Sequence, residues 1–137
     1  MRLGTSKSAR ALLLLSMLVI VGSSRAAPHD GPGTRPPLVG ALESGAFAGS
    51  LAELQYLVSV VGGETRETVV ISSGQRVLAR IERRGFHRVR TAEIYVVRWR
   101  VPTRYAGKRL TFCVTATDRS GNVSRPSCAG LHVARRT

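Results

Sequence analysis

The chain has 137 residues, with 21 Lys or Arg against 8 Asp or Glu (formal net charge +13) and only two cysteines. That length fits one domain, and two cysteines can build neither a four-cysteine metal knuckle nor a disulfide-dense miniature scaffold. A charge of this sign favours polyanions through the long-range field.

Arg2, Lys7 and Arg10 form a positive N-terminal region, Ala11 to Val21 is apolar except for Ser16, and Ser24-Arg25-Ala26 fits a small-x-small cleavage site. Residues 1–26 therefore read as a secretory signal peptide, with the mature chain starting at Ala27. The apolar run is about a dozen residues, whereas a membrane span needs about 20. No cysteine follows it closely to carry a lipid anchor, and no second apolar run exists, so the mature chain has no expected span. Loss of Arg2, Lys7, Arg10 and Arg25 leaves 17 basic against 8 acidic side chains, a net charge of +9. The charge is uneven: −3 over residues 27–75, +9 over 76–109 and +3 over 110–137.

Residues 27–37 are a Pro/Gly-rich linker, and Pro36-Pro37 favours an extended approach to the first strand. After it, period-2 alternation recurs, the mark of half-buried strands. A short strand is expected near Leu38 to Leu42. Leu54, Tyr56, Val58 and Val60 then share one face, followed by a Gly62-Gly63 turn. Val69 and Ile71 lead to Ser72-Ser73-Gly74, and Val77, Ala79 and Ile81 form the next inward set. Tyr95, Val97, Trp99 and Val101 precede Pro102; Leu110, Phe112, Val114 and Ala116 follow; Leu131 and Val133 close the series. Ala46 to Leu54 is ambiguous, a bend or one helical turn. About seven short strands separated by turn residues predict an all-β sandwich over 38–134, with residues 135–137 as a basic tail.

Phe112-x-Val114-x-Ala116-x-Asp118-x-x-Gly121-Asn122-x-Ser124-x-Pro126-Ser127 resembles the F–G hairpin of fibronectin type III and related bacterial immunoglobulin-like modules. The resemblance covers roughly 110–133 and implies an immunoglobulin-like sandwich used for adhesion, spacing or binding; it does not fix a ligand. Leu110 stands where the family often has a corner tyrosine, and the connection from Pro102 to Leu110, with Tyr105 inside it, is longer than usual.

Two cysteines in a secreted chain are expected to pair. Cys113 and Cys128 flank the hairpin turn, on the face opposite Phe112 and Val114. Closing that loop of about 15 residues is worth roughly 3 kcal/mol in the chain-entropy model.

No G-x-S-x-G, H-E-x-x-H or P-loop is present, and no cofactor or metal site is signalled. His29, His87 and His132 have no partner at ligand or triad spacing and read as surface histidines. Asp118 and Asn122 could offer oxygens to a cation, but two ligands fall well short of the six to eight that Ca²⁺ takes, and both residues commonly shape turns. Asn122-Val123-Ser124 has the form of a glycosylation sequon.

The arginines are the best lead to a partner. Arg98 and Arg100 share one strand face opposite Trp99; Arg88 and Arg90 do so if extended. With Arg80, Lys108 and Arg109 they form the candidate anion-binding set: Arg80, Arg88, Arg90, Arg98, Arg100, Lys108 and Arg109. If the strands of Arg80 and Arg98 are neighbours, a basic stripe crosses one sheet, with rim charge from Arg76, Arg83, Arg84 and Arg104. Such a face suits an anionic polysaccharide, a teichoic-type cell-envelope polymer, a heparin-like glycan or anionic lipid; a protein partner is also open. Nucleic acid is not specifically signalled, because the placed aromatics point inward and stacking needs exposed ones. The expectation is a secreted, non-catalytic binding or adhesion module. The alternative is a structural cell-envelope component with no specific ligand, in which codon bias accounts for 19 of the 21 basic residues being Arg. A third reading, a small hydrolase or inhibitor-like enzyme partner, would be revived by a concave pocket joining His87 or His132 to an acid.

Overall fold

The structure, a computed structural model, describes residues 35–137 except Gly62. The signal peptide, His29 and the linker through residue 34 lie outside the described residues. Nine strands follow in order: β1 (Leu38–Ala41), β2 (Ser44–Phe47), β3 (Leu51–Ser59), β4 (Glu64–Ser73), β5 (Arg76–Glu82), β6 (His87–Arg88), β7 (Ile94–Arg100), β8 (Arg109–Asp118) and β9 (Ser127–Ala134), with a 3-10 turn at Thr103–Tyr105. No helix among the described residues is long and apolar enough to cross a membrane.

The strands form two sheets. The smaller has the order β1-β3-β7; the larger runs β2-β9-β8-β4-β5, with β6 also paired to β4. This is an immunoglobulin-like, fibronectin III-like sandwich. Its core is the inward parity of each strand: Leu54, Tyr56 and Val58 from β3, Val69 and Ile71 from β4, Leu110, Phe112, Val114 and Ala116 from β8, and Leu131 and Val133 from β9, all buried. Each Val, Leu, Ile or Phe among them contributes roughly 1.5–3 kcal/mol by leaving water. Trp99 and Val97 pack against this cluster partly buried.

The first strand is divided between the sheets. β1 pairs antiparallel with β3; the chain then crosses at Leu42 and Glu43, and β2 pairs parallel with β9, Ala46 opposite Val133. The ambiguous stretch Ala46 to Leu54 thus resolves into the end of β2, a bend at residues 48–50 and the start of β3, with no helical turn among them. β2 is too short to show a period, and its pairing is with a segment almost ninety residues away. With β6, two residues long, it raises the strand number above the expected seven.

A second correction concerns β5. The register shifts between Ile71 and Ser72, so Ile71 faces Ala79 and Ser72 faces Val77. One extra residue on β5, Leu78, is accommodated by a bulge. Val77 is consequently 59% exposed instead of inward, and Leu78 packs against the core.

The registers also define two poles. The β2–β3, β4–β5 and β7–β8 connections and the residues after Ala134 lie at one; Arg35 and the β3–β4, β5–β7 and β8–β9 connections lie at the other. We call these the upper and lower poles.

Candidate functional site

The topology separates the candidate cations. Among the described residues β5 pairs only with β4 and β7 only with β3, on different sheets. The condition for a stripe across one sheet is not met. Arg80 is exposed on the larger sheet. Arg88 lies opposite Glu64 near the lower pole. The backbone N–H of Arg90 donates to the Tyr95 hydroxyl at 2.8 Å. Arg98, Arg100, Lys108 and Arg109 lie toward the upper pole, on β7, β8 and the connection between them.

There the loops are knitted together by backbone hydrogen bonds. Gly49 N–H donates to Val101 O at 2.8 Å, Ala48 N–H to Ala134 O at 2.9 Å and Gly107 N–H to Val133 O at 2.8 Å. Gly49 sits at φ +81 and Gly107 at φ +73, conformations open to glycine but rare for L side chains. Arg135 lies against Gly107, where an added Cβ would come within 3.1 Å of its Nε. Arg100 Nη1 donates to Gly49 O at 3.1 Å, and the Arg104 guanidinium lies 5.0 Å from the Tyr105 ring centre. The loop residues 47–50 and 101–108 and the tail 135–137 contain no Asp or Glu. Arg100, Arg104, Lys108, Arg135 and Arg136, all exposed, thus form a basic patch without a carboxylate side chain in these loops.

Below the patch, along the open side of the sandwich, β2 and β3 bound a groove of about 690 Å³. Phe47 and Leu51 give it an apolar wall, 54% and 52% exposed. Glu43, Glu53, Gln55 and His132 supply polar groups. Both carboxylates are held by candidate cations: Arg98 Nη2 reaches Glu53 at 3.0 Å and Arg109 Nη2 reaches Glu43 at 3.0 Å. Gly130 permits the second pair, since a Cβ there would lie 2.6 Å from Glu43 Oε2 and 2.8 Å from Arg109 Nη2.

A buried polar network that the sequence reading missed lies nearer the lower pole. Glu67, on the inward parity of β4, is 1% exposed. Its carboxylate meets His87 Nε2 at 2.7 and 2.9 Å, accepts from the hydroxyls of Thr65 and Tyr56, and lies 3.6 Å from Arg83 Nη1. Burial, and after it the neighbouring Glu67 charge, push Tyr56 up to about 12. His87 is therefore no free surface histidine, and His132 also has an acid neighbour, Glu43 at 3.5 Å in the same groove, so the pocket joining a histidine to an acid is present. Neither pair has a hydroxyl or thiol nucleophile bonded to its imidazole among the described residues; the Thr65 hydroxyl donates to the carboxylate instead. The triad relationship of nucleophile to base to orienter is not assembled.

The β8–β9 turn is explained locally. Asp118 Oδ1 accepts from Asn122 N–H at 2.9 Å and Oδ2 from Asn122 Nδ2 at 2.8 Å. Burial works against the Asp118 charge, but these bonds and the Ser120 and Gly121 N–H groups outweigh it and hold the carboxyl below its ordinary value. Both oxygens serve the turn, and no group of three or more metal-ligating side chains occurs among the described residues. Ser124 is buried and accepts Ala116 N–H at 2.9 Å, so the sequon hydroxyl is a strand tie. Cys113 and Cys128 are bonded directly across β8 and β9, with Cα atoms 4.0 Å apart.

No family model matches the sequence, and no curated protein matches it. Among solved structures the chain is similar to the fibronectin(III)-like modules of Clostridium thermocellum CbhA, with 16% identity, 73% of this chain and 47% of that chain covered, and a TM-score of 0.46. It is also similar to the PKD domain of an M14-like peptidase from a Thermoplasmatales archaeon, with 13% identity, coverage of 72% and 93%, and a TM-score of 0.49. Murine CRIg is similar at 10% identity, coverage of 75% and 100%, and a TM-score of 0.44. The chain spans about half the length of the Clostridium chain.

Proposed function

We propose that this chain is a secreted, non-catalytic binding module whose upper pole engages an anionic polymer. One observation carries the reading: Arg100 at the end of β7 joins Arg104, Lys108, Arg135 and Arg136 on segments tied together by backbone hydrogen bonds, and the loop residues 47–50, 101–108 and 135–137 contain no Asp or Glu. Arg100 and Arg135 are laid against backbone and Arg104 against a ring, so less side-chain freedom is lost on binding. Secretion is supported by the pattern of residues 1–26 and by the Cys113–Cys128 bridge, since disulfides persist in oxidising compartments. An extracellular or cell-envelope polysaccharide fits both.

The test is elution from a heparin column in a salt gradient. Changing Arg100, Arg104 and Lys108 to Gln is expected to lower the eluting salt sharply, because each lost contact removes part of the counter-ion release. Changing Arg80, Arg88 and Arg90 to Gln removes the same charge and is expected to have a smaller effect. Equal shifts in both triple variants would reject a site and favour the structural cell-envelope reading. That alternative draws on the ion pairs Arg98–Glu53, Arg109–Glu43 and Arg119–Glu64, which neutralise part of the surface charge internally.

A further inference from the structure

We infer that the groove between β2 and β3 is a saccharide subsite, so that the anionic polymer is a glycan; this rests on the polyanion reading above and narrows it. A sugar ring presents an apolar C–H face and a rim of hydroxyls that both donate and accept. The groove offers the counterpart of each. Phe47 is an exposed ring on its wall, with Leu51 beside it. Glu43, Glu53, Gln55 and His132 line the same groove. The side-chain amide of Gln55 makes no hydrogen bond among the described residues, so it is free to bind a hydroxyl. An apolar wall with a few convergent polar groups is the usual composition of a small-ligand site.

The ion pairs make the carboxylates usable here. Arg98 and Arg109 hold Glu53 and Glu43 at 3.0 Å, which offsets their repulsion of an acidic ligand. An ionised carboxylate has about four lone-pair positions, so each keeps acceptor capacity for sugar hydroxyls. Arg100 stands at the upper end of the groove, opposite Leu51 in the β3–β7 register. A glycan lying in the groove would bring its acidic substituents to Arg100 and to the patch beyond it.

An extended peptide fits less well. Strand addition needs a row of free backbone groups, but Phe47 O already accepts Ser50 N–H at 3.1 Å and Ser50 Oγ at 2.7 Å, and Leu42 N–H donates to Gln55 O at 2.9 Å. Single-stranded nucleic acid needs successive stacking rings, and Arg104 already lies against Tyr105, leaving Phe47 as the one Phe, Tyr or Trp lining the groove among the described residues.

The experiment is calorimetric titration of the full, disulfide-bonded chain with a heparin-derived hexasaccharide, a galacturonate hexamer and inorganic polyphosphate of comparable charge. Phe47→Ala is expected to weaken the glycan it binds about tenfold, the size of a lost ring contact, and to leave polyphosphate unchanged. Gln55→Leu gives the same split by removing hydrogen bonds and not area. Neither exposed Phe47 nor half-buried Gln55 belongs to the core, and a thermal melt of each variant checks the fold. Glycan binding that survives both substitutions, or falls in step with polyphosphate, overturns the subsite and leaves the basic pole standing. Binding of polyphosphate with no glycan bound also overturns it. If no probe binds, the subsite and the polyanion reading fall together.

Discussion

His87 Nε2 stands 2.7 Å from Glu67 Oε2, and Glu67 is the most deeply buried carboxylate among the described residues. The pair ties the β5–β7 connection to the inward face of β4, and the Arg83 guanidinium lies 3.6 Å from the same carboxylate. Truncating one partner of a buried pair costs several kcal/mol because the other charge is left without compensation. His87 and Arg83 are partly exposed, at 21% and 41%, which moderates the cost. Glu67→Ala is expected to destabilise the fold by about 3 kcal/mol in urea unfolding, and amide exchange over 83–93 should accelerate first. An unchanged urea midpoint would show that the network contributes nothing.

Tyr56 gives the fold an alkaline limit. Burial and then Glu67 raise the phenol from its ordinary 10.0 to about 12. The folded state holds that proton more tightly than the unfolded chain, so the contribution is complete below pH 10 and is lost as pH rises toward 12. In an ultraviolet difference titration, one of the three tyrosines should ionise late. Tyr56→Phe should flatten the alkaline limb of the stability profile. A wild-type profile flat from pH 10 to 12 would refute this.

The disulfide should be worth about 3 kcal/mol, given the sequence separation of 15. Because it pins residues already opposite each other in the β8–β9 ladder, the double change of Cys113 and Cys128 to Ser should lower stability while keeping the far-ultraviolet spectrum of the sandwich. Loss of the folded spectrum at room temperature would show that the bridge does more than restrain the unfolded chain.

Gly130→Ala tests the groove through the Glu43–Arg109 pair, leaving Phe47 and Gln55 unaltered. The new methyl would meet Glu43 Oε2 and Arg109 Nη2, the far ends of flexible side chains that can swing away. Both are more than half exposed, at 58% and 61%, and such a pair is worth under about 1 kcal/mol. Little change in thermal stability is expected, together with weaker glycan binding as Glu43 and Arg109 are displaced. Binding equal to the parent would remove Glu43 from the subsite.

The hydrophobic parity of β3, β4, β7, β8 and β9 was legible in the sequence because one face of each is buried and the side-chain period is two. Glu67 was legible in principle: it continues the Val69–Ile71 parity inward, and Thr65 continues it again. A carboxylate on an apolar face is the signal of a buried network. What could not be read were relations fixed by distant pairing. β2 is positioned by β9 across most of the chain, the Leu78 bulge turns Val77 outward, and the arginines divide because β5 and β7 belong to opposite sheets. The site inherited this limit. Its cations stood out by composition, whereas Phe47, Gln55 and Glu43 meet only after the first strand changes sheets.

That change of sheet also sets a direction. β1 rises from Arg35 at the lower pole, and β9 delivers residues 135–137 to the upper one. The nine residues of β3 span roughly 30 Å at about 3.3 Å each, which is about the separation of the two poles. Anything joined before Arg35 would hold the lower pole, leaving the basic loops facing away from the attachment. Anything joined after Thr137 would emerge among those loops and crowd the ligand. Fusion partners and surface tethers therefore belong at the amino-terminal end, and a carboxy-terminal tag would compete with the contacts it is meant to report.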